Sequence, residues 1–434
     1  MNAVTNSKIV KKILSDVRNY GEEKFKKEEF VPYVSKIPVT GKVLDSDDLV
    51  ALVESSLDAW LTSGEYTEKF EKKIAEVTGT RHCLFVNSGS SANLAAMSAI
   101  AKLYELKSGD EVITSAVNFP TTLNPIIQNN LTPVLVDAEI GTYNVSVEKV
   151  ANAINEKTKG IVLAHTLGNP FDSEALAKLC EDKNLFLLED SCDSLGSTLN
   201  GKHVGTFGDA GTLSFYPAHH ITTGEGGAIF FNNSKLKKVM ESIRDWGRDC
   251  YCAPGKDNTC NKRYEWQLGG LPFGYDHKYI YSNIGYNLKA TDMQAAIGLT
   301  QIEKLPEFIE KRINNFNYIY KKFEELDEFD MPESLQGSVP SWFGFPITLK
   351  KNSKFKRVDL LRHYEENRIG SRLLFGGNVT LQPAYSNVEF KISGSLENAD
   401  RVVEDTFWLG VYPGITFEMI DFMHDVTKEF FSKG

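Results

Sequence analysis

Nowhere in the 434 residues does an apolar run approach the roughly 20 residues that a bilayer-spanning helix needs. Residues 1–30 are polar and lysine-rich, without an apolar stretch of signal-peptide length. These absences lead to the expectation of a cytoplasmic protein with no membrane partner. Basic blocks are missing as well. Asp plus Glu outnumber Lys plus Arg 58 to 48, a formal net charge of −10, which argues against nucleic acid or an anionic membrane as the main partner. There is no internal repeat and no low-complexity tract. Cysteine is scarce, with six residues: Cys83, Cys180, Cys192, Cys250, Cys252 and Cys260. In a large cytosolic chain, clustered cysteines point to metal or redox chemistry rather than disulfides.

What is present suffices for two or three domains of ordinary size. Residues 1–45 read as an N-terminal arm, a charged helix followed by an irregular stretch. Ser46 is a good N-cap, with Asp47 and Asp48 suited to the first turn of a helix that runs to residue 60. After a further helix at 67–77, strands are expected at 83–86, 111–115, 133–137, 160–165 and 185–189. Helices alternate with them at 121–128, 147–154 and 173–184. This alternation predicts an α/β fold with a mostly parallel sheet covered by helices on both faces, its ligand beyond the carboxyl ends of the strands. Residues 291–326 read as helix, broken near Pro306. A strand at 341–349, a helix at 355–367, an apolar stretch at 407–411 and a helix at 417–431 suggest a smaller C-terminal α+β domain. The expected boundaries are an arm at 1–45, a large domain at 46–300 and a small domain at 301–434.

Three stretches carry polar chemistry. Asn87-Ser88-Gly89-Ser90-Ser91-Ala92-Asn93 is a strand-to-helix turn whose free N–H groups and hydroxyls suit a phosphate, or simply start a helix. Asp190 ends an apolar strand, where a carboxylate can pair with a protonated ring nitrogen or cap a following helix. Residues 214–227, Ser-Phe-Tyr-Pro-Ala-His-His-Ile-Thr-Thr-Gly-Glu-Gly-Gly, place two histidines in a glycine-rich reversal between two short β runs. Four cysteines form the pattern C-x57-C-x-C-x7-C, with the last three in a polar loop at 249–261. Four thiolates can hold an iron–sulfur cluster or a structural zinc. Cys83 and Cys180 read as buried packing residues.

These stretches occur in an order that resembles the sugar aminotransferase branch of the fold-type-I pyridoxal-phosphate enzymes: the phosphate turn, Phe119, Asp190, Ser214 with the reversal, then Gly285-Tyr286-Asn287-Leu288 and Asp292-Met293-Gln294-Ala295-Ala296. The resemblance runs from about residue 60 to the C-terminus. It implies that Gly89, Ser90 and Ser214 hold the cofactor phosphate, that Phe119 stacks on the pyridine ring and that Asp190 pairs with its nitrogen. Asp193 falls where the family has His or Gln near the ring hydroxyl. Asn287 matches a residue that reaches the phosphate of a neighbouring subunit, which implies a homodimer.

The departure is central. The family's lysine, which would carry pyridoxal phosphate covalently, falls on His219. Imidazole cannot form that link, but it can act as a general base near neutral pH. His220, next to it, reads as structural. Histidine for lysine together with the cysteine spacing is similar to the iron–sulfur C-3 deoxygenases of this branch. The resemblance implies pyridoxamine phosphate held without a covalent bond and a [2Fe-2S] cluster on Cys192, Cys250, Cys252 and Cys260. It further implies a CDP-linked 4-keto-6-deoxy sugar as substrate, and a separate NAD(P)H-dependent iron–sulfur flavoprotein reductase as electron donor. Histidine then favours dehydration at C-3 over aminotransfer. A GDP-sugar 3-dehydratase without the cluster, an ordinary sugar aminotransferase, and a non-catalytic cofactor-binding protein with structural zinc are the alternatives.

Overall fold

The computed structural model describes residues 7–433 apart from Ala253. Seven strands of its main sheet follow in chain order: β1 (His82–Val86), β2 (Glu111–Ser115), β3 (Thr132–Val136), β4 (Thr158–Ala164), β5 (Phe186–Asp190), β6 (Ala210–Ser214) and β7 (Gly227–Phe231). With Lys391–Ser393, contributed from far along the chain, they stand in the order β1-β7-β6-β5-β4-β2-β3-(391–393). Among the described residues β7 alone runs against the others in this sheet, pairing antiparallel with both β1 and β6. The remaining pairs are parallel, as the βα alternation requires.

Alternate strand residues enter two cores. Val112, Val162 and Leu188 pack with Ala95, Ala96 and Met97 of the helix Gly89–Leu103. Ile113, Ile161 and Leu187 pack with Val150, Leu176 and Cys180 on the opposite face. Burying both faces is why these strands read as near-continuous apolar runs. Cys83 and Cys180 are both buried.

A second sheet, antiparallel, joins Phe329–Asp330, Gly344–Leu349, Thr406–Gly410 and Ser371–Arg372. It shares an aromatic-rich core with the helices Asp292–Phe323 and Phe417–Ser432. Among the described residues, no helix is long and apolar enough to cross a membrane.

The structure corrects three local expectations. Asp45, not Ser46, caps the second helix, because its carboxylate accepts from the backbone of Asp47 and Asp48 while Asp48 answers in a capping box. That helix ends at Leu57. The helix Asp292–Phe323 runs through Pro306 without a break, since buried Leu305 and Phe308 on either side anchor it to the core. The element that follows Asp190 is a short strand, Thr198–Leu199, so the Asp190 carboxylate is not a helix cap.

Candidate active site

The carboxyl ends of β5 and β6 and the reversal joining β6 to β7 converge on the N-terminus of the helix Gly89–Leu103. The approach is close enough to require glycine. A Cβ on Gly89 would lie 2.6 Å from Ser214 Cβ and 3.0 Å from Cys192 Sγ, and one on Gly227 would lie 2.3 Å from the Ser88 carbonyl oxygen. Ser88 caps the helix, its hydroxyl accepting from Ser91 N at 3.1 Å. Gly89 and Ser214 are therefore neighbours, and Ser90 is exposed beside them. The helix N-terminus and these hydroxyls could hold a phosphate.

Asp190 is 5% exposed, and four donors hold its carboxylate. Asn93 Nδ2 and Thr122 Oγ1 each donate to Oδ2 at 2.7 Å, Thr212 Oγ1 to Oδ1 at 3.4 Å, and the Cys192 backbone N–H to Oδ1 at 3.1 Å. Thr212 also donates to Asn93 Oδ1 at 2.6 Å, fixing that amide's orientation. These contacts fix the position of the carboxylate at the carboxyl edge of the sheet. Phe119 is 49% exposed, with its ring touching Phe375 edge-on at 6.2 Å, so a face remains open to a planar ligand. These residues fit a pyridoxal-type cofactor.

The two histidines face different surroundings. His219 Nδ1 lies 3.2 Å from Asp193 Oδ1, a contact without hydrogen-bond alignment, and its ring is 5.2 Å from Phe343. His220 is buried at 3% exposure, and its Nε2 meets the Ser341 carbonyl at 2.7 Å. Burial, helped by the Arg312 cation, holds the His220 pKa well below the ordinary imidazole range. Asn287 is exposed and bridges to Asp245. The adjacent Leu288 carbonyl accepts from Asn87 N at 2.8 Å, which ties this segment to the start of the phosphate turn.

The cysteine quartet is not assembled as expected. Cys250, Cys252 and Cys260 line one narrow recess of about 10 Å³ together with Asp257, His277 and Lys278. Cys192 is not part of it. Cys192 sits beside Gly89 and Asp190, where burial, reinforced by Asp190, pushes its thiol well above the ordinary range. Burial likewise raises Cys250. Burial works against ionisation of Cys252 too, but hydrogen bonds led by the Thr259 hydroxyl at 3.0 Å bring its thiol below the ordinary range. Among the described residues, no group of three or more His, Cys, Asp or Glu side chains is arranged to hold a metal ion. Spacing along the chain reports that three thiols share a loop, but not how that loop folds against Cys192.

Sequence reasoning missed Asn93, Thr122 and Thr212 around Asp190. Asn93 closes the phosphate motif itself, and a polar residue on an otherwise small apolar helix was the available signal.

Residues 43–427 match the DegT/DnrJ/EryC1/StrS aminotransferase family, and the chain belongs to it. It is a pyridoxal-phosphate-dependent nucleotide-sugar dehydratase with the aminotransferase-like α/β fold. The chain is 52% identical over 433 residues to the lipopolysaccharide biosynthesis protein RfbH of Salmonella typhimurium, covering 99% of each chain. It is 49% identical over 426 residues to a dTDP-4-dehydro-2,6-dideoxy-D-glucose 3-dehydratase of Saccharopolyspora spinosa, covering 97% of this chain and 92% of the other. The structure of the E. coli GDP-4-keto-6-deoxy-D-mannose-3-dehydratase with bound hydrated PLP is similar at a TM-score of 0.81 and 30% identity, covering 90% of this chain and 99% of that one.

Proposed function

We propose that this chain removes the C-3 hydroxyl, as water, from a CDP-linked 4-keto-6-deoxy sugar in 3,6-dideoxyhexose biosynthesis for lipopolysaccharide, with pyridoxamine phosphate bound non-covalently. The observation that carries this reading is a histidine beside a carboxylate, His219 with Asp193, where the family's covalent lysine would stand.

When bound, the cofactor supplies an amine that condenses with the C-4 ketone and a ring that takes up electrons. The chain's own residues do the rest. Gly89, Ser90 and Ser214 hold the phosphate at the helix N-terminus, and Phe119 covers the ring. Asp190, held in place by Asn93, Thr122, Thr212 and the Cys192 N–H, would pair with the ring nitrogen. His219 takes the proton from C-4′, with Asp193 Oδ1 3.2 Å from its Nδ1. His220 is buried against Ser341 and does not share this role. Without a lysine at 219 no covalent link competes, and elimination rather than aminotransfer follows.

The nucleotide is the finer part of the proposal, since related enzymes are named for dTDP- and GDP-linked substrates. A [2Fe-2S] cluster and a flavoprotein reductase are proposed from the cysteine spacing and the three thiols at one recess. The thiols as placed do not form a cluster site, so no catalytic step is assigned to it. We also propose a cytoplasmic homodimer, in which exposed Asn287 and the exposed rings of Tyr264, Phe273, Tyr279 and Tyr281 meet a second copy.

The test is His219→Asn, assayed for solvent hydrogen exchange at C-4′ of pyridoxamine phosphate with the CDP-, dTDP- and GDP-linked 4-keto-6-deoxy sugars. The variant is expected to retain the cofactor and lose exchange by about 100-fold or more. Exchange at the wild-type rate would overturn the base assignment, and preference for another nucleotide would overturn the CDP part.

A further inference from the structure

Arg312, in the middle of the helix Asp292–Phe323, is 1% exposed and heads the large side chains that are fully buried. Among the described residues, no carboxylate hydrogen-bonds to it and its Nε has no partner. Its Nη1 donates to the carbonyls of Trp342 at 3.1 Å and Phe343 at 3.3 Å, and its Nη2 donates to the carbonyl of His219 at 3.3 Å. The guanidinium carbon lies 5.8 Å from the centre of the Phe343 ring, whose other neighbours include both histidines and Trp408. Asp193, Tyr412 and His220 are titratable groups that interact with it through space.

A buried cation without a paired carboxylate is expensive, and an apolar side chain of similar volume would join helix to strand at lower cost. What an apolar side chain cannot do is hold a carbonyl from each of two separate segments in one rigid plane. One of those segments is the entry to the strand Gly344–Leu349. The other is the reversal at 215–226, which has no regular secondary structure around His219 and whose own tie there is His219 N to the Tyr216 carbonyl. Regular structure therefore does not set the direction of the His219 imidazole.

We infer that Arg312 is a positioning residue for His219, clamping the backbone of the base to the Trp342–Phe343 segment so that the imidazole faces Asp193 and the cofactor edge. This rests on the reading of His219 as the base that takes the C-4′ proton.

Arg312→Met keeps most of the side-chain volume and removes the fork, Arg312→Lys keeps the charge, and Arg312→Ala opens the space. In Arg312→Met, pyridoxamine phosphate affinity and the KM for the nucleotide sugar are expected to stay within about twofold, while kcat for C-4′ exchange falls by about tenfold to a hundredfold, the size that an ångström-scale misplacement produces. Arg312→Lys, with charge but no planar fork, is expected to recover only part of the loss. Millimolar guanidinium is expected to raise kcat of Arg312→Ala without changing its KM. The inference is overturned if kcat is unchanged in Arg312→Met, if kcat, KM and cofactor affinity all decline together with the melting temperature, or if guanidinium has no effect on a folded Arg312→Ala. His219→Asn in the same assay separates the two ideas: exchange surviving in that variant overturns the base assignment, whereas exchange lost there but intact in Arg312→Met overturns the clamp alone.

Discussion

His219 Nδ1 stands 3.2 Å from Asp193 Oδ1, with side chains that are only 15% and 12% exposed. The contact fixes which edge of the imidazole faces Asp193. It also leaves Nε2 as the nitrogen available to react.

Asp193→Asn removes that charge and nearly nothing else. The rate of C-4′ exchange at neutral pH is expected to fall by about tenfold or more, with pyridoxamine phosphate affinity little changed. If exchange is unchanged and only cofactor affinity falls, Asp193 serves the cofactor's ring hydroxyl, as its position in the family pattern implies, and does not orient the base.

Thr122→Val deletes one of the two 2.7 Å hydrogen bonds at Asp190 Oδ2 while keeping the shape of the side chain. A hydrogen bond to a charged group contributes about 1.5–3 kcal/mol. Equilibrium titration with pyridoxal phosphate is expected to show binding about tenfold to a hundredfold weaker. Unchanged affinity would mean that Asn93, Thr212 and the Cys192 N–H suffice to hold Asp190.

The cysteine loop gives a compositional prediction. Protein purified without oxygen is expected to carry iron and acid-labile sulfide in equal amounts, with visible absorption bands, and to lose both in Cys252→Ser. Zinc without sulfide would overturn the redox proposal and leave the recess at Cys250, Cys252 and Cys260 a structural site.

His203 makes stability depend on pH. Gly196 N donates to its Nε2 at 3.0 Å, and its Nδ1 contacts the Val204 carbonyl, so the ring is neutral and both nitrogens are engaged. Burial holds its pKa at about 4 in the folded chain, below the roughly 6.5 of a free imidazole. The unfolded chain therefore takes up the proton first. The contribution is complete above about pH 6.5 and is lost as pH falls towards 4, amounting to about 3 kcal/mol. Thermal melts from pH 7 to pH 5 are expected to show a shallower decline for His203→Gln than for the parent. Equal slopes would assign the pH dependence elsewhere, to His220 first.

Much of the site was legible because local rules write it. A phosphate turn is a strand end, a small-residue turn and a helix start, and residues 87–93 contain all three within one window. Asp190 follows from an apolar run whose length places its last residue at the sheet's carboxyl edge. The Asp190 cage was not legible, because Asn93 and Thr122 reach it across 97 and 68 residues of chain, and the polar Asn93 on a small apolar helix does not say what it meets. Arg312 was hidden for the same reason, being one basic residue among many in a long helix.

The sequence by itself determined the βα order, the strand-to-helix turn at 87–93, the carboxylate at the strand end and the absence of lysine at 219. All of these depend on residue type and short-range spacing. Only the tertiary structure decided between the adjacent histidines, turning His220 into the core against Ser341 and His219 towards Asp193. It also placed Cys192 beside Asp190 and apart from the other three thiols. In a reversal without regular hydrogen bonding, side-chain direction is set by whatever packs against it, and here that is Phe343, Arg312 and the second sheet, more than ninety residues further along the chain.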